Sequence, residues 1–295
     1  SSASSHPAPA PPTAGEVGRV RRSAPSAVSA RMPPMEHPFT FEDGAGHRVA
    51  AVLAEPDRPT GRLVVLLHGF LSNKNSTTNK TLTRALLDQG IATLRFDFFG
   101  QGESDGPFER ITITTALDQA TAAIELAASK SYRRIGLIGS SFGGLIALLA
   151  AAQETGKGRL ASLALKCPVP DFEEMLRLEF GPDGILEWKR TGTITDITGG
   201  QGRVPLHYAF YEDCGRYRGY EAAKVLTVPA LIVQGDQDEY VPLHQSRRLL
   251  DALPQPKRLD ILPGADHSFT KAEDFRAMAA KLTDWTVTHL RAGSP

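Results

Sequence analysis

The segment Gly139-Ser140-Ser141-Phe142-Gly143 lies between an apolar run, Ile135 to Ile138, and a helical stretch, Leu145 to Ala152. A chain that passes from strand to helix this abruptly has no room for side chains beside the turn, so glycines stand two residues either side of a serine. The serine hydroxyl is lifted clear of the sheet, and the register selects Ser141 over Ser140. The helix that follows points its free N–H groups and positive dipole end at that hydroxyl, where negative charge develops when a carbonyl is attacked.

The rest of the chain supplies the sheet this turn requires. From Phe39 onward, short β-branched or apolar runs alternate with helical stretches, the pattern of an α/β chain whose mostly parallel sheet is covered on both faces. The expected strands are 38–42, 48–54, 62–67, 91–96, 134–139, 161–167, 230–234 and 258–262, eight in all. Helices are expected near 78–89, 112–129, 142–153, 243–252 and 271–291. From Pro170 to Val228 no strand-helix unit is clear, and this stretch reads as a cap inserted between the sixth and seventh strands. Tyr208, Tyr211, Tyr217 and Tyr220 fall within it, with Trp188, Phe172, Phe180 and Phe210. The expected organisation is therefore a leader over 1–36, a core over 37–169, the cap over 170–228 and the remainder of the core over 229–295.

Three further motifs fall at strand ends. Leu66-Leu67-His68-Gly69-Phe70 closes the third strand, where Phe70 can offer one N–H to an oxyanion while Phe142, after the serine, offers another. His68 there is expected to brace the loop by hydrogen bonding. The strand Ala230 to Val233 runs into Gly235-Asp236-Gln237-Asp238-Glu239-Tyr240-Val241-Pro242, and a carboxylate at this point can hold the Nδ1–H of a histidine. Asp238 is favoured over Asp236 and Glu239, which read as parts of a solvated turn. Of the eight histidines, only His267, in Leu262-Pro263-Gly264-Ala265-Asp266-His267-Ser268-Phe269, lies in the loop between the last strand and the last helix. The glycine-bearing stretch Asp97 to Gly106 lacks the Lys-Ser or Lys-Thr of a phosphate loop and reads as a structural loop at the rim of the site.

Composition narrows the partners. With 33 basic and 33 acidic residues the formal net charge is zero, so nothing points to nucleic acid, and the expected partner is a small molecule. The two cysteines, Cys167 and Cys214, have no metal-ligand spacing and read as free thiols. No run approaches the roughly 20 apolar residues of a membrane span, and cytoplasm is the default compartment. Residues 1–36 are rich in Ser, Ala and Pro, a composition that cannot repay its ordering entropy. Their Ser- and Arg-rich, acid-poor character also suits an organelle-targeting remnant or an expression artefact, with Met35 as a natural start.

These motifs together resemble the bacterial feruloyl and cinnamoyl esterases and related α/β-hydrolases: His68-Gly69-Phe70 with Asn73-Lys74, the Asp97–Gly106 loop, the serine turn, Gly235-Asp236-x-Asp238-x-x-Val241-Pro242 and Ala265-Asp266-His267. The likeness spans 39–291. It implies the α/β-hydrolase fold and a serine carboxylester hydrolase with Ser141 as nucleophile, His267 as base and Asp238 as its orienting acid. It also implies an oxyanion hole from the Phe70 and Phe142 amides, and neither metal nor organic cofactor. A cap between the sixth and seventh strands contacts the aromatic acyl group in such enzymes, which makes Tyr208, Tyr211 and Trp188 candidate substrate contacts, and the preferred substrates aromatic or short acyl esters. This chain departs from the pattern at Ser140, where relatives often carry histidine, and at Phe142, where a polar residue is common. Both departures bear on the acyl pocket and not on the triad.

Alternatives on the same fold are an aminopeptidase or amidase, using Glu173, Glu174, Glu179 or Glu187 to hold an amine, a lysophospholipase-type lipase, and a ligand-binding homologue without chemistry. The oligomeric state stays open between monomer and homodimer. Because the leader offers neither an apolar face nor a triad residue, deleting residues 1–34 is expected to leave ester turnover and the melting temperature nearly unchanged.

Overall fold

The computed structural model describes residues 35–197 and 203–292. In chain order these form β1 (Met35–Glu42), β2 (Arg48–Glu55), β3 (Arg62–Leu67), α1 (Thr77–Asp88), β4 (Ala92–Phe96), α2 (Ile113–Ser129), β5 (Arg134–Ser140), α3 (Phe142–Gln153) and β6 (Leu160–Lys166). The chain then leaves the sheet through α4 (Phe172–Thr191), the short strands β7 (Thr193–Ile194) and β8 (Leu206–His207), α5 (Tyr208–Cys214) and α6 (Gly219–Lys224). It returns with β9 (Ala230–Gly235), α7 (Leu243–Ala252), β10 (Lys257–Leu262) and α8 (Ala272–Arg291).

Eight strands make one sheet in the order β1-β2-β4-β3-β5-β6-β9-β10. The pairs β1·β2 and β2·β4 are antiparallel, and every other pair in it is parallel. This is the α/β-hydrolase arrangement that the sequence led us to expect. Parallel strands must be covered on both faces, which is why β3 reads as an unbroken apolar run whose residues Leu63 to Leu67 are all buried. Its alternate side chains divide between two cores. Val65 and Leu67 pack with Leu117, Leu145 and Leu148 of α2 and α3, whereas Val64 and Leu66 pack with Leu82, Leu86, Met278 and Leu282 of α1 and α8.

From β3 the chain crosses through α1 to β4 on one side, and β5 lies on the other. The strand order therefore reverses at the carboxyl ends of β3 and β5, where open α/β sheets bind their ligands. Those two ends carry His68-Gly69-Phe70 and Ser141.

The excursion between β6 and β9 differs from the expectation of an irregular stretch. It contains a 20-residue helical element, α4, with Gly181 at φ 64° and Pro182 inside it. The kink breaks the apolar periodicity, which hid the helix from a pattern search.

The leader expected over 1–36 lies outside the described residues except at its end. Met35 and Glu36 belong to β1, paired with Glu55 and Ala54 of β2. The Glu36 carboxylate meets Nη2 of Arg95 at 2.6 Å, and the Arg95 side chain is buried with Nε and Nη1 unpartnered among the described residues. Glu36→Ala leaves that guanidinium without its counter-charge. Since Glu36 is itself half exposed, the expected loss is about 2 kcal/mol, below the 3–5 of a fully buried pair, read from the urea midpoint.

Candidate active site

Ser141 sits between β5 and α3 at φ 53° and ψ −115°, a conformation that side-chain-bearing residues rarely adopt. Two contacts hold it there. A side-chain carbon at Gly139 would strike the Gly143 carbonyl, and one at Gly143 would strike the carbonyls of Leu67 and His68. Glycine at both positions lets the start of α3 press against the end of β3. The Ser141 N–H donates to the Lys166 carbonyl at 2.8 Å, and the Gly144 N–H returns to the Ser141 carbonyl at 2.8 Å. Phe142 is the first residue of α3, so helical geometry gives its N–H no partner within the helix.

Asp238 and His267 meet across the loops after β9 and β10. The His267 Nδ1 is 2.9 Å from both carboxylate oxygens of Asp238. The Asp238 side chain is 1% exposed and that of His267 is 14% exposed. Asp238 also accepts the N–H groups of Val241 at 2.8 Å and Tyr240 at 3.1 Å. Burial works to raise its carboxyl pKa, but the His267 hydrogen bond and charge, with the Val241 amide, hold it below the ordinary carboxylate value. The ionised form orients Nδ1–H toward itself and leaves Nε2 free.

The competing acids do more than solvate a turn. Exposed Asp236 accepts the Gly264 N–H at 2.7 Å, and exposed Glu239 accepts the His267 backbone N–H at 3.1 Å. Both tie down the main chain of the histidine loop. Cys167 lies beneath, fully buried, its thiol 3.7 Å from the His267 carbonyl. Donor atoms of Cys167, Asp238 and His267 come within 4.8 Å of one another, the spacing a metal would need. Burial pushes the thiol pKa far up, however, and Asp238 already occupies Nδ1, so this set is organised for hydrogen bonding rather than ligation.

The Phe70 loop is braced from below. The His68 Nδ1 donates to the Gly69 carbonyl at 2.8 Å, and its Nε2 accepts the Phe98 N–H at 3.1 Å. The Asp97–Gly106 stretch is a structural loop, as expected, and its anchor is ionic. Buried Lys74 contacts Asp97 at 2.5 Å through Nζ, its backbone N–H donates to the same carboxylate at 2.6 Å, and Nζ also pairs with Glu103. Burial opposes the Lys74 charge, but the bonds to Asp97 and Glu103 outweigh it and raise the pKa.

Two cavities open at Ser141. The larger, about 300 Å³, is lined by Phe70, Leu71, Phe172, Met175, Leu176, Glu179, Ile197 and Tyr240, with Ser141 and His267. The smaller, about 190 Å³, shares Phe70, Ser141 and His267. Tyr208, Tyr211 and Trp188, the substrate contacts expected from the sequence, line neither of the two. Trp188 is 2% exposed and donates Nε1–H to the Leu206 carbonyl at 2.9 Å, while Tyr208 stacks on Tyr211 at 5.5 Å and meets Trp188 edge-on. These rings satisfy one another within the cap. The cavity draws its rings from Phe70, Phe172 and Tyr240 instead, and no sequence signal separated Phe172 from the other cap aromatics.

The chain matches the model of the alpha/beta hydrolase family over residues 64–280. It belongs to that family. It is 24% identical over 236 residues to the mitochondrial palmitoyl-protein thioesterase ABHD10 of Rattus norvegicus, covering 77% of each chain. Among solved structures it is similar to Est1E from Butyrivibrio proteoclasticus with bound ferulic acid, at TM-score 0.75 and 25% identity, covering 85% of this chain and 99% of that one. It is also similar in fold to mouse alpha/beta hydrolase domain-containing protein 10, at TM-score 0.72 and 19% identity over 84% and 97% of the two chains. The family membership makes this chain a hydrolase, and the relatives named here include a thioesterase and a protein solved with ferulic acid bound. No helix among its described residues is long and apolar enough to cross a membrane.

Burial lowers the His68 pKa from 6.5 to about 4. The unfolded chain thus binds a proton that the folded chain refuses, so the stability His68 contributes is complete above pH 6.5 and is lost as pH falls toward 4. The expected loss across that window is roughly 3 kcal/mol. By NMR, the His68 imidazole should stay neutral from about pH 8 to about pH 5.

Proposed function

We propose that this hydrolase cleaves carboxylic esters of compact aromatic or short acyl groups through an acyl-enzyme on Ser141. The observation that carries the reading is Ser141 in its strained turn at the start of α3, sharing a cavity with a histidine whose Nδ1 is held by a buried carboxylate. His267 takes the Ser141 proton as Oγ attacks the ester carbonyl, and the Phe70 and Phe142 N–H groups receive the oxyanion. The alcohol leaves with the proton from His267. Water then attacks the acyl-enzyme with His267 again as base, releasing the acid and restoring Ser141.

The acyl preference rests on the larger cavity. Its volume of about 300 Å³ stands at the low end for ligand sites, and it is walled by three aromatic rings and by Leu71, Met175, Leu176 and Ile197. Flat acyl groups gain buried area and ring-ring contact there. The Est1E structure with ferulic acid supports this choice, whereas the palmitoyl-protein thioesterase relative keeps a longer acyl chain as the contrasting outcome.

Amide cleavage is the second reading, and one acid bears on it. Glu173 pairs with Arg177, Glu174 with His244 and Glu187 with Arg190, which leaves Glu179 to line the cavity. Partial desolvation at the cavity wall raises the pKa of Glu179, although the residue keeps an exposed face, and this weakens it as a partner for an ammonium group.

Ser141→Ala is expected to abolish ester turnover and fluorophosphonate labelling while Ser140→Ala retains both. Asp238→Asn should reduce turnover by about 10⁴-fold, by analogy with other triads, and Asp236→Asn and Glu239→Gln far less. The acyl preference is read from kcat/KM for methyl hydroxycinnamates against acetate, butyrate and palmitate esters of one alcohol. Palmitate winning would overturn it in favour of a lipase or long-chain thioesterase.

A further inference from the structure

The smaller cavity differs in chemistry from the one under the cap. It is lined by Ser72, Ser76, Thr78, Ser140, Ser268 and Lys166, besides the residues around Ser141. Five hydroxyl-bearing residues and one lysine thus border the reacting centre on a side where the proposed acyl group does not lie.

Lys166 ends β6, an otherwise apolar strand, and is only 6% exposed. Its Nζ donates to the His267 carbonyl at 2.8 Å and lies 5.2 Å above the Phe269 ring. Among the described residues no carboxylate comes within ion-pair distance of it. The nearby acids are engaged elsewhere, Asp238 with His267 and Asp266 with the Thr270 N–H at 2.9 Å. A buried ammonium that faces one carbonyl and a ring is short of the counter-charge that burial demands. A second positive feature converges on the same space. Ser76 caps α1, a 12-residue helix with no acidic residue in its first turn, and Ser76 and Thr78 both line the cavity. The helix field and the Lys166 charge therefore act on one open cleft, and each favours an anion there.

We propose that this cavity is a leaving-group subsite for alcohols that carry an anionic group, a carboxylate or a phosphate, with Lys166 as its cation. The assignment rests on the ester-hydrolase reading above and names the half of the substrate that reading leaves open. The acyl group occupies the apolar cavity, the scissile carbonyl lies at Ser141, and the alcohol extends past His267 toward Lys166. As the acyl-enzyme forms, the departing alcohol takes its proton from His267 and then carries its anion out of the subsite, which clears the space for the attacking water.

The test compares acetate release from 4-acetoxybenzoate and from its neutral primary amide, 4-acetoxybenzamide, which share an acetyl group and carry no second ester. The neutral phenol is the better leaving group by electron withdrawal, so intrinsic reactivity runs against the expected order. In the wild-type enzyme at low ionic strength, kcat/KM for the anionic ester should exceed that for the neutral one by about tenfold, the worth of one charge-assisted hydrogen bond. Added salt should shrink the ratio, and Lys166→Met should bring it to one or below. Thr78→Val, farther from the histidine loop, should lower it partly. Turnover of both esters with a wild-type ratio at or below one would overturn the subsite and leave ester hydrolysis standing. Turnover of neither would overturn the ester-hydrolase reading and the subsite with it. Inhibition of neutral-ester turnover by 4-hydroxybenzoate against 4-hydroxyphenyl phosphate tells which anion the subsite prefers.

Discussion

The close approach of α3 to the end of β3 is the constraint on which the rest depends. Only because Gly139 and Gly143 lack side chains can the first turn of α3 lie against the Leu67 and His68 carbonyls. That contact brings two strand ends, two prospective oxyanion amides and the helix dipole to one point. It also forces Ser141 to φ 53°, a strain of about 1–3 kcal/mol that the surrounding packing must sustain. Burial of nearly all of α3 provides that packing, since residues from Phe142 to Ala151 are all buried.

Around this point the molecule separates charge by depth. Asp97 and Lys74 form a buried pair that anchors the Phe70 loop, and burial keeps His68 neutral as a brace between the ends of β3 and β4. The Asp238 carboxylate is buried and ionised, and it faces the His267 Nδ1. Asp236 and Glu239 stay exposed, where their charge is cheap, and secure backbone amides of the loop that carries the histidine. Groups of similar chemistry thus take different roles according to how much water reaches them.

Much of this was legible in the chain. The strands end within a few residues of where their apolar runs end, because parallel strands buried on both faces admit little else. His68-Gly69-Phe70, Ser141, Asp238 and His267 stood out because each falls at the carboxyl end of a strand, and strand order then brings them together. The cap was harder. Gly181 and Pro182 interrupt α4, and the aromatics of this stretch are visible only as composition, so the sequence does not separate Trp188, Tyr208 and Tyr211, which pack on one another, from the rings that line the cavity. Met175, Leu176 and Ile197 are ordinary apolar residues whose exposure to the cavity depends on tertiary placement. Lys166 did leave a signal, a charge at the end of a central apolar strand.

The ring cluster beneath the site has a consequence for how such enzymes can be rebuilt. Phe142 packs edge-on against Phe70, Phe98 and Phe172, at centroid distances of 5.4, 5.4 and 5.8 Å, and Phe70 meets Phe210 at 5.3 Å. These rings come from the serine turn, the Phe70 loop, the loop after β4 and two cap helices. The cap is therefore not an exchangeable module. Grafting a cap from a relative with a polar residue after its nucleophile would set foreign side chains against Phe142, and keeping this cap while restoring a polar residue there would open a void under the Phe70 loop. Specificity and scaffold share one set of contacts, so a chimera has to carry the residue after the serine along with the cap it came from.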